Sequence, residues 1–84
     1  MTRAEIEQFN KERDKAMKSY DVQKFREFYL KWTFKGAYAL PLPTNDKVIE
    51  VAMRKMVYHL KSSTAKERLD ARRWLEDHGC TTEL

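Results

Sequence analysis

The sequence predicts an all-α domain, a single bundle of four short helices spanning residues 1–84. Apolar residues recur every three or four positions through most of the chain, which is the spacing of helices that bury one face. Two glycines and two prolines are too few for a turn-rich β-barrel. With 42% apolar and 36% charged residues among 84, the chain is too apolar for a disordered protein and long enough for one small core.

The first two helices are predicted over residues 3–19 and 22–35. Thr2 and Glu5 have the spacing of a capping box, in which each side chain bonds the backbone N–H of the other residue at a helix start. The apolar stripes of the two segments are out of phase, so one straight helix could not bury both in one core. Asp21 is a suitable N-cap for a separate second helix, although one long helix remains an alternative because no glycine or proline intervenes.

A connector is predicted over residues 36–45. Gly36 ends the second helix, and the residues before Pro41 and Pro43 are pushed out of the helical conformation, so this connector should run extended over aromatic residues. The third helix is predicted over residues 46–61, where apolar side chains cover one broad face and part of the opposite one. We therefore expect the third helix to be the central one.

The fourth helix is predicted over residues 64–78, because Thr64 and Glu67 form a second capping box. Its periodicity leaves two orientations open. In one, Trp74 faces the core with Ala71 and Leu75; in the other, Leu69 and Leu75 face inward and Trp74 is exposed.

The longest stretch without a charge is only ten residues, 36–45, so the sequence predicts no transmembrane helix and no membrane partner. Arg3, Glu5 and Glu7 stand where a signal peptide would need an apolar run. We therefore expect a cytoplasmic protein.

The residues that carry catalytic and metal chemistry are sparse. Cys80 is the only cysteine and His59 and His78 are the only histidines, a set that predicts neither an internal disulfide nor a metal site. No glycine-rich loop is present to hold a phosphate. We expect no enzyme activity, no catalytic residues, no cofactor and no small-molecule substrate.

The densest feature is aromatic, since six of the ten aromatic residues lie between positions 25 and 38. Phe25, Tyr29 and Trp32 share one helical face, whereas Leu30 and Phe34 lie on another. The rest of the monomer could cover both faces, a partner protein or second copy could cover one, or the rings could stack on nucleic-acid bases. The candidate interaction residues are Arg13, Phe25, Tyr29, Leu30, Trp32 and Phe34.

Arg13 is included because it lies within the apolar stripe of the first helix. Either its stem packs on apolar surface while its head reaches water or a carboxylate, or it faces a partner or an anion. The leading hypothesis is a non-enzymatic protein-interaction module that binds a partner protein or self-associates.

The alternative hypothesis is a small DNA-binding accessory or regulatory protein. The third and fourth helices have the dimensions of a helix-turn-helix, and the net charge is +4. Acidic residues are interleaved with the basic ones, which weakens the positive field that phosphates require. The candidate nucleic-acid contacts are Lys66, Arg68, Arg72 and Arg73.

Overall fold

The computed structural model describes residues 2–34, 36 and 42–84, and of Phe34 only the backbone. Within these ranges the chain forms α1 (Arg3–Ser19), α2 (Val22–Phe34), α3 (Asp46–His59) and α4 (Ala65–Asp77), with no strand. The predicted all-α bundle is confirmed; residue 35, the predicted end of the second helix, lies outside the described ranges. None of these four helices combines the length and apolar character needed to cross a membrane.

The helix ends follow from local capping. Both predicted capping boxes are present, at Thr2 and at Thr64. Leu60 has an extended backbone (φ −65°, ψ 135°) and ends α3 two residues before the predicted boundary. Thr64 and His78 are the caps of α4, so they stand just outside a helix predicted to include them. Gly79 (φ +69°) continues into a Schellman motif that satisfies the last carbonyls of α4.

The junction between α1 and α2 is a true break. Tyr20 adopts the left-handed conformation (φ 54°, ψ 23°), and its N–H bonds the Met17 carbonyl. Asp21 Oδ1 then accepts hydrogen bonds from the N–H groups of Gln23, at 2.9 Å, and Lys24, at 3.3 Å. Asp21 therefore caps a separate second helix as predicted, and the alternative of one long helix is wrong.

The core forms around α3, which contacts each of the other three helices. This confirms its predicted central position. The largest fully buried side chains form the centre of this core; they are Trp32, Ile49, Met53, Val57 and Leu75. On α4, Ala71 and Leu75 are buried while Leu69 is 45% exposed, so the orientation with Trp74 on the inward side is the one observed.

Polar contacts join α1 to the turn between α3 and α4, and α2 to the connector that precedes α3. Lys18 on α1 donates to the Ser62 carbonyl at 3.0 Å, and Ser62 donates its hydroxyl to Asp14 at 2.7 Å. On the other side, Arg26 of α2 binds the Pro43 and Thr44 carbonyls. The described end of the connector is therefore pinned to α2; residues 37–41, and with them most of its predicted path, lie outside the described ranges.

Candidate functional site

The structure separates the aromatic candidates of α2 into core and surface residues. Phe25 and Trp32 are buried, with Trp32 only 1% exposed, and Tyr29 is half-buried against them. Leu30 lies on the other side of the helix and is 59% exposed. The side chain of Phe34 lies outside what the structure describes. Of this group, Leu30 is the residue whose side chain the described structure leaves largely exposed to solvent.

Arg13 is engaged within the chain. Its Nε and Nη2 both donate to Asp14 Oδ1 at 3.1 Å, and its guanidinium carbon lies 5.9 Å from the centre of the Phe9 ring. The side chain is about one-quarter exposed. This is the packing alternative of the sequence analysis, in which the stem covers apolar surface and the head meets a carboxylate.

The basic residues of α4 do not converge. Lys66 and Arg73 lie on one side of the helix, and at 100° per residue Arg68 and Arg72 lie at least about 100° away from them. Arg72 Nε donates a hydrogen bond to Glu76 Oε1 at 2.8 Å, and this bond to the carboxylate raises the pKa of Arg72. Arg68 donates to the Leu60 carbonyl at 3.1 Å. The four side chains therefore form no continuous row of free cations.

A different surface brings lysines together. Where α1 and α2 pack side by side, they form an open groove of about 510 Å³, which we call the α1–α2 groove. Lys11 and Lys15 line it from α1, and Lys24 and Lys31 line it from α2. Four lysines and two glutamates in the lining leave a net charge of +2.

The floor of the groove is apolar and belongs to the core. It is formed by Ala16 and Phe28, both of which are buried. Gln8 lies at one end and Ser19 at the other, so the groove follows α1 over twelve residues, whose eleven rises of 1.5 Å span about 16 Å.

Glu12 lies within the groove and links α1 to α2. One of its oxygens accepts a hydrogen bond from Lys31 Nζ at 2.6 Å, and the other accepts from the indole N–H of Trp32 at 3.1 Å. The hydrogen bond from Lys31 is the main cause that holds the pKa of Glu12 below its ordinary value, with a further contribution from Trp32. Lys31 is thereby neutralised.

The other three lysines are not neutralised. Within the described residues, Lys11, Lys15 and Lys24 have no carboxylate oxygen within 4.0 Å, and all three are exposed. These long side chains are exposed to solvent and stand on either side of the buried floor. Such a surface is better suited to attract a negatively charged group than to enclose a small molecule.

Sequence reasoning did not single out this groove, although a signal was present. Lys11 and Lys15 are four residues apart and Lys24 and Lys31 are seven apart, so each pair lies on one face of its helix. Each pair by itself looks like an ordinary solvated helix face and does not indicate a binding site. Only the reversal of the chain at Tyr20 places the two faces side by side.

A second cluster that the sequence did not reveal joins three elements. The Cζ atom of Arg54 on α3 lies 3.5 Å from the centre of the Tyr20 ring and 4.9 Å from that of Trp74. Trp74 in turn stacks on His78, with ring centres 3.9 Å apart. Burial raises the pKa of Tyr20, and the nearby Arg54 opposes that rise. The stack therefore joins the C-terminal end of α1 to α3 and α4.

The thiol and histidines are placed apart from the groove. Cys80 is half-buried, with its Sγ 3.6 Å from the His78 carbonyl, and His59 Nε2 lies 2.7 Å from the Thr82 carbonyl. Across the part of the chain that the structure describes, no three His, Cys, Asp or Glu side chains are grouped to hold a metal ion.

Comparisons with protein-family models, with curated proteins and with solved structures found no match to this chain.

Proposed function

We propose that this chain is a non-enzymatic protein-interaction module and that a segment of a partner protein docks on the α1–α2 groove. The observation that carries the proposal is the convergence of Lys11, Lys15 and Lys24, all exposed and without a carboxylate partner in the described structure, around an apolar floor. Several like charges held together on a folded surface repel one another, and a partner of opposite charge relieves that repulsion.

Leu30 extends this surface. It lies three residues after Glu27, which lines the groove, and residues at that spacing are neighbours on a helix surface. At 59% exposure it is among the most exposed large hydrophobic residues of the described chain. An apolar side chain beside a charged groove is typical of interfaces, where an apolar contact lies next to polar ones.

The proposal favours a different protein over a second copy of this chain. Six carboxylates of the described residues already pair with the chain's own cations. A second copy would have to bring an acidic face to the lysines, whereas each copy carries a net charge of +4 and repels another copy. A partner with its own unpaired carboxylates meets the requirement directly.

The groove also lacks the layout of an active site. Its described lining contains no histidine or cysteine, and Glu12, the residue there whose pKa is shifted, is held by Lys31 and Trp32. General acid–base catalysis needs a group that is free to exchange a proton with substrate in a site that excludes water. These features support binding as the function of the groove.

Photo-crosslinking tests the proposal. We would replace Gln8, an exposed and uncharged groove residue, by photoreactive p-benzoylphenylalanine and irradiate the labelled chain in extract of the cells that express it. The same label at Asp77, which is exposed on α4 outside the groove, is the matched control. We expect a protein that cross-links from Gln8 and not from Asp77.

The partner identified in this way would then be purified and titrated against the chain. Reversal of the three free groove lysines to Glu should weaken its binding about tenfold or more, because like charges would then face each other. Equal binding by the reversed variant, identical products from both label positions, or a nucleic acid as the cross-linked species would each contradict the proposal. A cross-link between two copies would assign the groove to self-association.

A further inference from the structure

We infer, on the basis of the proposed function, that the docked segment is an acidic amphipathic α-helix of about three turns. Three properties of the α1–α2 groove specify this occupant: its charge, its length and the chemistry of its floor. Each follows from a different set of residues, so the inference does not depend on one contact.

Charge specifies carboxylates on both flanks of the segment. Lys11 and Lys15 stand on the α1 wall and Lys24 stands on the α2 wall, so cations line the groove from both sides. A partner that approaches along the groove meets positive charge to its left and right. Carboxylates on both edges of the docked face would each find a lysine, and a segment acidic on one edge only would leave one wall unpaired.

The floor specifies an apolar strip between those carboxylates. Ala16 and Phe28 form it, and the aliphatic stems of the lysines add apolar surface along the walls. Leu30 offers a further apolar contact beyond Glu27. A wholly acidic tail would place charges over this floor and lose their hydration, whereas Leu or Met at every third or fourth position would bury there.

Length and backbone chemistry specify a helix. The groove follows α1 over about 16 Å, the length of about three helical turns. An extended segment gains affinity by pairing its N–H and C=O groups with a sheet edge, and the described residues contain no strand. A helix brings its backbone hydrogen bonds with it and needs only side-chain contacts.

Nucleic acid fits the groove less well. Phe28 is only 7% exposed, so it offers no face on which a base could stack. Glu12 and Glu27 stand among the lysines, where each would repel a phosphate. An acidic helix can place its carboxylates beside the lysines and an uncharged residue beside each glutamate, a selectivity that a uniform phosphate backbone lacks.

The test uses synthetic peptides on the full chain. The probe is a fluorescent peptide of about three to four turns with Leu at helical spacing on one face, Glu on both flanks and Ala elsewhere. One control peptide has the same composition with Leu distributed around the helix, and a second has Lys in place of Glu. Random-sequence duplex DNA and vesicles of anionic phospholipid are titrated in parallel.

Two charge-reversed variants locate the site. The groove variant changes Lys11, Lys15 and Lys24 to Glu, and the control variant changes Lys61, Lys66 and Arg73, which are exposed and outside the groove, to Glu. Both alter the net charge by the same amount. Leu30→Asp is a third variant that adds a charge at an exposed position, and circular dichroism verifies that each variant is folded.

We expect micromolar affinity for the Leu/Glu peptide and about tenfold or more weaker binding by the groove variant, with little change in the control variant. The peptide with distributed Leu should also bind about tenfold more weakly. Equal affinity for the probe and for the control peptide with distributed Leu would overturn the inference. Binding of DNA or vesicles in place of the probe peptide would also overturn it.

The two proposals fail in different ways. If photo-crosslinking finds a partner whose binding segment is neither acidic nor helical, the interaction function holds and the acidic-helix inference falls. If the Leu/Glu peptide binds but no protein cross-links from the groove, the chemistry inferred for the groove holds and its assignment to a protein partner falls.

Discussion

The indole N–H of Trp32 donates to Glu12 Oε2 at 3.1 Å, while Lys31 Nζ holds the other oxygen of the same carboxylate at 2.6 Å. Trp32 is a core residue and Lys31 is a groove residue, so one carboxylate connects the buried interior to the proposed docking surface. Because both oxygens are held, the position of Lys31 on the groove wall depends on the packing of Trp32 beneath it.

Truncation of Trp32 should destabilise the fold strongly. Trp32→Ala removes a ring that is 1% exposed, and we expect it to lower the free energy of unfolding by about 3–5 kcal/mol. Trp32→Phe keeps a ring but leaves Glu12 without the indole donor, and we expect a loss of about 1–3 kcal/mol. Urea unfolding followed by far-UV circular dichroism measures both, and Leu30→Ala on the exposed side of α2 should change stability by less than about 0.5 kcal/mol. A small effect of Trp32→Ala would place the ring outside the core.

The bond between Lys31 and Glu12 should make part of the stability depend on pH. Because the folded state holds the pKa of Glu12 below its ordinary value, the contribution is fully present above that ordinary value of about 4.5 and is lost as the pH falls through the lower folded value. The stability difference between the native chain and Glu12→Gln should therefore be largest near neutral pH and shrink in acid. Unfolding curves at several pH values test this, with Glu27→Gln as the matched change in the same groove. A difference that stays constant down to about pH 3 would contradict it.

The stack of Arg54 on Trp74 should be measurable as a coupling free energy. A double-mutant cycle of Arg54→Met and Trp74→Leu isolates the contact, and we expect about 1 kcal/mol of coupling because the guanidinium lies 4.9 Å from the ring centre in a partly buried site. Lys47→Met, exposed at the start of α3, replaces Arg54→Met in the control cycle and should couple to Trp74 by close to zero. Coupling below about 0.3 kcal/mol in the first cycle would mean that the two side chains are neighbours without mutual stabilisation.

The end of α4 should depend on the backbone freedom of Gly79. Its φ of +69° is unfavourable for residues with a Cβ, yet an added methyl group would meet no atom within 4 Å. Gly79→Ala should therefore cost about 1–2 kcal/mol through backbone conformation alone, and Gly79→Asn should cost less because Asn tolerates the left-handed region. Thermal unfolding of the two variants compares them. Equal stability of the native chain and Gly79→Ala would show that the Schellman motif opens at little cost.

DNA binding through α4 should be weak or absent. Lys66 and Arg73 lie apart from Arg68 and Arg72, and the latter is paired with Glu76. We expect the anisotropy of labelled random-sequence duplex DNA at about 50 mM salt to change little on titration and at about 200 mM not at all. Micromolar binding that falls steeply with salt and is lost in Arg68→Ala or Arg73→Ala would support the helix-turn-helix hypothesis.

Nearly all of the fold could be predicted from the sequence because the signals that start and end its helices are local. Thr2 with Glu5, Thr64 with Glu67, and Asp21 each fix a helix start through side chains a few residues away, and such signals can be read without the tertiary structure. The same locality explains the small errors. The extended conformation of Leu60, which ends α3 early, has no marker such as glycine or proline beside it.

The groove and the Arg54 stack could not be predicted because both depend on contacts between segments far apart in the chain. Lys15 and Lys24 come to line one groove only through the left-handed turn at Tyr20, a conformation that a sequence pattern does not predict for tyrosine. Arg54 lies on α3, where periodicity alone suggests an exposed edge. The aromatic cluster was visible in the sequence, but periodicity could not decide which of its members the monomer itself buries.

The central position of α3 has a consequence for how the chain opens. The α1–α2 pair and α4 each pack their apolar side against α3, whose Met53 and Val57 are fully buried. No further layer of the described structure covers the apolar side of either part. Separation of either part would expose apolar surface on both sides of the break, so a half-unfolded form has little to stabilise it. Amide hydrogens in the middle of α3 should then exchange with solvent only when the whole domain unfolds, while those at the ends of α1 and α4 exchange earlier by fraying. Exchange rates along α3 would thus report the global stability of the domain.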